Sequence, residues 1–286
     1  MYPLSGATRV LGIIGNPVRH SLSPAIQNAA IAACELDYIY VPFVVTPEFL
    51  GAAVSGLKAL GVCGFNVTIP HKTAIMCFLD QLDESATCAG AVNTVLVRDG
   101  LMTGYNTDGF GFISSLADDL NYEPGAGTIV VLGAGGAARG AVAGLCRAGA
   151  EHIVIANRSM NKAVELAEEM KARYTKTSIL VSRQDQINDN HLDTASLLVN
   201  TTSIGMNGDR IGFVDLAKLP KAAKVYDMVY SPFETPLLRE AVSMGIEAVN
   251  GLGMLAAQGE KALTIWTGKT PPKGLMKGVL QSICGH

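Results

Sequence analysis

Residues 129–139 read Ile-Val-Val-Leu-Gly-Ala-Gly-Gly-Ala-Ala-Arg, and this stretch decides the fold. Residues 129–132 form an apolar, mostly β-branched run, as expected of a strand buried on both faces of a parallel sheet. Gly133, Gly135 and Ala138 then match G-x-G-x-x-A, and residues 137–145 read as a helix leaving that turn. Strand, glycine turn and helix in this order are the context of a dinucleotide fingerprint. Gly133 permits the tight turn, and Gly135, without a Cβ, lets backbone approach a pyrophosphate. The helix N-terminus offers unpaired N–H groups to that anion. A glycine turn in an ordinary α/β protein is the alternative, and the flanking residues decide between the two.

Working outward, residues 152–156 form the next strand. An NAD-binding site usually places an acid at its end to hold the ribose 2′-hydroxyl. Here the chain reads Asn157-Arg158-Ser159, with no acid. Arg158 offers a planar guanidinium to a 2′-phosphate, Ser159 adds a hydroxyl, and Lys162 lies one turn into the following helix, residues 161–173. The pattern points to NADP. A surface arginine is the weaker alternative, because the expected acid is missing. Further strands are expected at 196–200 and 224–229, each running into a loop. In a doubly wound sheet ligands lie beyond the carboxyl ends of strands, so Thr202 in the first loop should border a cofactor. Helices follow at 235–244 and 251–267, with a short strand at 247–249 between them, and a last helix reaches residue 283.

Before the fingerprint, residues 9–14 and 38–45 read as strands and 47–60 as a helix. Ser23 before Pro24 has the form of a helix cap with proline at N1. Capping is the favoured role for Ser23. Ser21 is open between a structural role and offering its hydroxyl to an anionic ligand. A helix is expected from Pro70 through Phe78, with Lys72 in its first turn. That is the unfavourable end of a helix dipole for a cation, so a lysine there is less expected for stability alone; a solvated surface lysine is the alternative. Residues 83–89 read as a short helix, and 94–98 with 101–104 as a hairpin about Asp99-Gly100. Asp108 precedes a helix reaching residue 120, and capping it is the ordinary role. Residues 121–127 read as the connection into the nucleotide-binding half.

The composition narrows the classes of function. The 286 residues are 49% hydrophobic and only 16% charged, enough for a sizeable core. With 22 basic against 25 acidic residues and no basic run, nucleic acid and anionic membrane are poor partners. No apolar stretch reaches the length of about 18 residues that a membrane span needs, and no basic-then-apolar leader is visible. Six cysteines without C-x-x-C spacing suggest reduced, mostly buried thiols in a cytoplasmic protein, with neither a metal site nor a disulfide framework.

With these motifs in place the chain resembles the shikimate dehydrogenases nearly from end to end. HSLSP, GFNVTIPHK, GAVNT, NTDGFGF, LGAGGAAR, NRS, NTTSIGM, DMVYSP followed by TPLL, and GMLAAQG occur in the family's order and approximate spacing. The resemblance implies reversible hydride transfer between NADPH and 3-dehydroshikimate, giving shikimate within aromatic amino-acid biosynthesis. It implies an α/β fold of two domains. One is an α/β substrate domain, residues 1–108 completed by the returning C-terminal helices of 250–286. The other is a Rossmann-like, doubly wound parallel-sheet NADP domain, residues 109–249. Ser21 and Ser23 would bind the substrate carboxylate, which favours the ligand role for both. Asn66, Thr68, Asn93, Asp108 and Gln258 would hold its hydroxyls, with Tyr230 also on the substrate. Gly133, Ala134, Gly135, Gly136, Ala137, Asn157, Arg158, Ser159, Lys162, Thr202, Met228 and Gly251 would line the cofactor. Lys72 and Asp108 would be the proton-transfer pair, Lys72 as acid/base or as the charge that stabilises an alkoxide. Many relatives carry His-Asn where this chain has Gln27-Asn28. A quinate/shikimate dehydrogenase of broader specificity, or a non-catalytic NADPH-binding regulator, are the rival functions. The chain is expected to work on small molecules as a monomer or homodimer.

Overall fold

The computed structural model describes residues 4–187 and 189–284. The chain divides into two units: residues up to 111 together with 255–283, and residues 112–254.

The first unit begins with β1 (Arg9–Gly15), α1 (Ser23–Ala33), β2 (Tyr38–Val44) and α2 (Leu50–Ala59). It continues with β3 (Gly64–Val67), β4 (Gln81–Leu82), α3 (Glu84–Ala89), β5 (Thr94–Arg98) and β6 (Leu101–Tyr105), and α4 (Asp108–Leu120) carries the chain on into the second unit after residue 111. The strands form one mixed sheet in the order β2-β1-β3-β5-β6-β4. β1 runs parallel to β2 and β3, with Leu11 opposite Tyr40 and Gly64. β5 and β6 form the expected antiparallel hairpin, turning on Asp99 and Gly100, both at positive φ. Leu50, Val54 and Leu57 of α2 pack with Phe65, Val67 and Val95 in its core.

The second unit holds β7 (Thr128–Leu132), α5 (Gly136–Arg147), β8 (His152–Asn157), α6 (Met160–Arg173) and β9 (Ser178–Arg183). Then come α7 (Asp189–Leu192), β10 (Ala195–Asn200), β11 (Lys224–Asp227), α8 (Pro236–Ser243) and β12 (Glu247–Asn250). Its sheet is wholly parallel, in the order β12-β11-β10-β7-β8-β9. From β7 the chain winds outward to β9, returns to β10 beside β7, and winds outward the other way. The switch point therefore lies between β7 and β10. Ile129, Val130, Val131 and Leu132 have no exposed surface, which is why β7 reads as a continuous apolar run rather than an alternation.

The chain ends with α9 (Leu252–Thr267) and α10 (Leu275–Cys284), and residues 255–283 belong to the first unit. There the Trp266 indole lies against Gly64, where a Cβ would overlap it, and donates to the Val95 carbonyl at 2.9 Å. Gln27 of α1 donates to the Gly259 carbonyl at 2.9 Å.

Three expectations are corrected. Residues 74–78 form a 3₁₀ turn rather than part of a helix from Pro70. Of the six cysteines, all free, only Cys146 is buried, and Cys77 is exposed. β9 was not anticipated: it is an edge strand with exposed Ser178, Leu180 and Arg183, too polar to read as buried. No helix among the described residues is long and apolar enough to cross a membrane.

Candidate active site

In the first unit the site residues gather around Asp108. Its Oδ2 accepts from Lys72 Nζ, and its Oδ1 accepts from Asn93 Nδ2 at 2.8 Å. The side chains of Lys72 and Asp108 are 16% and 6% exposed, so the ammonium reaches solvent while the carboxylate is almost enclosed. Asp108 does not cap α4 with its side chain. Asn106 takes that role, its Oδ1 accepting the Asp108 N–H at 3.0 Å, and both Asp108 oxygens are free to face Lys72 and Asn93.

Lys72 stands in a turn rather than in a helix. Its carbonyl oxygen accepts the Val92 N–H at 2.7 Å, so it is not available to a helical ladder. The dipole expectation for Lys72 therefore does not apply. The lysine is held by the segment just before β5 that also carries Asn93.

Beneath the pair lies a net of amides and hydroxyls. Asn93 donates both amide hydrogens, one to Asp108 and one to Thr107 Oγ1 at 2.9 Å, and its Oδ1 accepts the Thr107 N–H at 2.8 Å. Asn66 donates to the Asn93 carbonyl and to Thr94 Oγ1, both at 3.0 Å, and accepts from the Tyr40 hydroxyl at 2.7 Å. Every amide hydrogen of these two asparagines is used inside the protein, which fixes which end of each amide faces where. Burial holds the Tyr40 phenol well above its ordinary pKa, with a hydrogen bond from Ser23 acting the other way. Tyr40 is a donor at every working pH.

Ser23 is not the cap of α1. Leu22 holds that position, and the Ser21 hydroxyl accepts the Ser23 N–H at 3.2 Å. The serine expected to cap is thus buried beside Tyr40, and the one left open does the capping-like work. Thr68 is half-buried over Gly15, where a Cβ would overlap its methyl group. Gln258 of α9 donates to the Leu255 carbonyl at 2.8 Å, and its Oε1 accepts from Thr107 at 3.4 Å.

The second unit carries the remaining residues at the carboxyl ends of its strands. Gly133 has φ of 111°, and a Cβ there would lie 2.5 Å from Thr201 Oγ1, so only glycine lets the two loops meet. A Cβ on Gly135 would meet nothing within 4 Å, and no side chain caps α5 at Gly135. The first turn of α5, with Gly136 and Ala137, therefore presents open space and unpaired N–H groups, which fits a pyrophosphate. Ala134 is buried beside it. Asn157, at the end of β8, donates to the Ser159 carbonyl at 2.9 Å. Arg158, Ser159 and Lys162 are exposed, and neither cation is in an ion pair among the described residues. Two free cations beside a hydroxyl fit a phosphate monoester such as the 2′-phosphate of NADP. A Cβ on Gly251 would overlap the Met228 carbonyl, so these residues abut. Burial raises the Tyr230 phenol, and the nearby Cys284 adds to this.

Four residues of these networks were not singled out from sequence: Tyr40, Thr107, Asn200 and Asp227. Thr107 lies inside the NTDG motif, which was the available signal. Tyr40 reads as an ordinary strand aromatic. Asn200 and Asp227 close two strands, each before a motif loop.

Among the described residues no His, Cys, Asp and Glu cluster could hold a metal. A family model described as the shikimate dehydrogenase substrate binding domain matches residues 13–95. One described as shikimate / quinate 5-dehydrogenase matches 116–203, and one described as the shikimate 5'-dehydrogenase C-terminal domain matches 251–281. The chain is 54% identical over 275 residues to the shikimate dehydrogenase (NADP+) of Geobacter metallireducens, covering 96% of each chain. A crystal structure of a shikimate dehydrogenase in complex with NADP+ is similar with a TM-score of 0.92 and 42% identity, covering 99% of this chain and 98% of that one. The Thermus thermophilus enzyme in complex with NADP(H) and shikimate gives 0.84 and 33%, covering 96% and 99%.

Proposed function

The chain belongs to the shikimate dehydrogenase family, and from that premise we propose that it is an NADP-dependent shikimate dehydrogenase with Lys72 and Asp108 as its proton-transfer pair. The observation that carries this reading is the Lys72–Asp108 pair, seated on a hydrogen-bonded frame whose donors are already committed. NADP, when bound, supplies the acceptor or donor of the hydride. It would be held by the α5 N-terminus with Gly133–Ala137, by Asn157, Arg158, Ser159 and Lys162, and by Thr202, Met228 and Gly251.

Lys72 takes the proton of the ring alcohol as it is oxidised and returns it on reduction, or supplies the charge that stabilises the alkoxide. Asp108 orients the ammonium and accepts from a neighbouring ring hydroxyl. Asn93 holds Asp108, Asn66 in turn braces Asn93, and the two complete the hydroxyl-binding face with Thr68, Gln258 and Tyr230. Ser21 and Ser23 receive the carboxylate. A preset carboxylate and ammonium need little rearrangement as charge moves, which is the economical way to stabilise an alkoxide. The residues through 108 with 250–286 form the substrate-binding part, and 109–249 the cofactor-binding part. The protein works in the cytoplasm as a monomer or homodimer.

The test is a rate measurement with purified protein, pairing shikimate and quinate each with NADP+ and NAD+, following reduced cofactor by absorbance. Turnover of shikimate with NADP+ as the best pair is the expected result. Preference for quinate would point to the broader enzyme, and binding of NADPH without turnover of either acid to a regulator.

A further inference from the structure

Asp227 closes β11 and has no exposed surface, yet among the described residues no cation bonds to it. Its partners are three neutral donors. Oδ1 accepts from Asn200 Nδ2 at 2.9 Å and from the Val229 N–H at 3.0 Å. Oδ2 accepts from Thr235 Oγ1 at 2.6 Å. Burial raises its pKa, and the same three donors work against that rise. Burying a carboxylate costs several kcal/mol unless its hydrogen bonds are made well, so an amide or apolar residue would have been cheaper for stability alone.

The contacts show what the carboxylate holds. Asn200, equally buried, closes the neighbouring strand β10. Its Oδ1 accepts from the Thr202 N–H at 3.0 Å and the Thr202 hydroxyl at 2.7 Å, and its Nδ2 also donates to the Ile204 carbonyl at 3.0 Å. The Thr202 hydroxyl in turn accepts the Ile204 N–H at 3.1 Å. On the other side, the Val229 N–H that Asp227 accepts lies between Met228 and Tyr230. Met228 donates its own N–H to the Asn200 carbonyl at 2.9 Å and abuts Gly251. One side chain thus ties together the loop after β10, the loop after β11 and, through Met228, the start of α9. The β10 loop also meets the glycine turn at the switch point, through Thr201 and Gly133.

We propose that Asp227 is the positioning residue of the cofactor site, setting the spacing between the loops that carry Thr202 and Met228. This rests on the reading that those loops line NADP. Asp227 touches no reacting atom and acts only through Asn200 and the 228–230 backbone. A carboxylate suits the task because each oxygen accepts from two directions without a competing N–H. An amide at 227 keeps one such oxygen and turns its N–H toward Thr235.

The test measures Kd for NADP+ by titration calorimetry and separate KM values for NADP+ and shikimate, with melting temperature alongside. Asp227→Ala should raise Kd and KM for NADP+ at least tenfold and leave KM for shikimate within twofold. Asp227→Asn, whose carbonyl oxygen still accepts from Asn200 and Val229, should recover most of that loss. Thr235→Val removes the third donor and the cap of α8 at once, so it should lower the melting temperature while leaving Kd unchanged. If Asp227→Ala does not fold, Asn200→Ala cuts the same tie from the other loop and should raise Kd for NADP+ likewise. Arg158→Ala serves as the control for the reading itself. Normal NADP+ affinity in the Asp227 or Asn200 alanine variant beside weakened affinity in Arg158→Ala overturns the proposal alone. Unchanged affinity in Arg158→Ala overturns the cofactor reading and the proposal with it. A rise in Kd and a fall in melting temperature that Thr235→Val reproduces in full reduce Asp227 to a structural residue and also overturn it.

Discussion

Lys72→Ala is the sharpest perturbation of the proposed chemistry. A positioned acid/base contributes about 10²–10⁴ in rate, or roughly 2.7–5.4 kcal/mol of barrier at 1.36 kcal/mol per decade. The upper part of that range is expected here, because Asp108 is almost enclosed and offers no second cation. Stability responds more weakly. Asp108 loses one charged donor but keeps Asn93 at 2.8 Å, and the 16% exposure of Lys72 lets water take the vacated place. A loss of about 1–3 kcal/mol follows for a partly satisfied buried carboxylate. The two effects separate in one preparation: kcat from the absorbance of NADPH, and unfolding free energy from a urea melt. KM for shikimate should change less than threefold, since Ser21, Ser23 and Gln258 are untouched. Asp108→Asn places an amide against the ammonium and should lower kcat as well. The double variant should be little slower than Lys72→Ala alone, because the two act as a unit. A Lys72→Ala enzyme whose kcat stays within tenfold of the parent, or a double variant whose losses add, would refute the reasoning.

Arg158→Ala should raise KM for NADP+ by tenfold or more while leaving that for NAD+ nearly unchanged, because only the former carries the 2′-phosphate the guanidinium would pair. Equal changes in both would show that the arginine only packs. Burial pushes the Cys146 thiol up to about 11 from an ordinary 9.0. An acid group raised in this way stays protonated and unreactive until the pH approaches the raised value. At pH 9 only about 1% of it is thiolate, so alkylation with iodoacetamide should label exposed Cys77 first and reach Cys146 only on unfolding, as read by peptide mass mapping. Trp266→Phe removes the indole's hydrogen bond to the Val95 carbonyl and should cost about 1 kcal/mol in a urea melt.

The parts of the molecule that could be read from the chain are those whose signal is local. β7, the glycine turn and α5 follow one another without a break, and a strand buried on both faces needs only a run of apolar residues. The hairpin about Asp99-Gly100 and the missing acid after β8 are equally local. Ser-Pro is a true helix-start signal and by itself favours Ser23 as a cap, yet a residue one step earlier takes the cap and the buried hydroxyl goes to Tyr40. Pro70 is a good first residue for a helix and so signals one that would include Lys72. What prevents it is the Val92 N–H, twenty residues away, which takes the lysine's carbonyl oxygen. Asn200 and Asp227 are 27 residues apart, and nothing near either announces the other. Edge strand β9 shows half its surface to solvent and so lacks the apolar run that revealed its neighbours.

The return of the last helices to the first sheet bears on how the chain matures as it leaves the ribosome. Gly259 meets Gln27 across 232 residues, and Trp266 meets Val95 across 171. All of the second unit's parallel sheet can assemble while the opening hundred residues still wait for the segment that seals them. Closing loops of that size is slow, and an unsealed mixed sheet has an open face prone to self-association. Nascent chains stalled before Trp266 should therefore be the ones that chaperones hold and proteases reach, and damage near the C-terminus should show first in the fate of the newly made polypeptide.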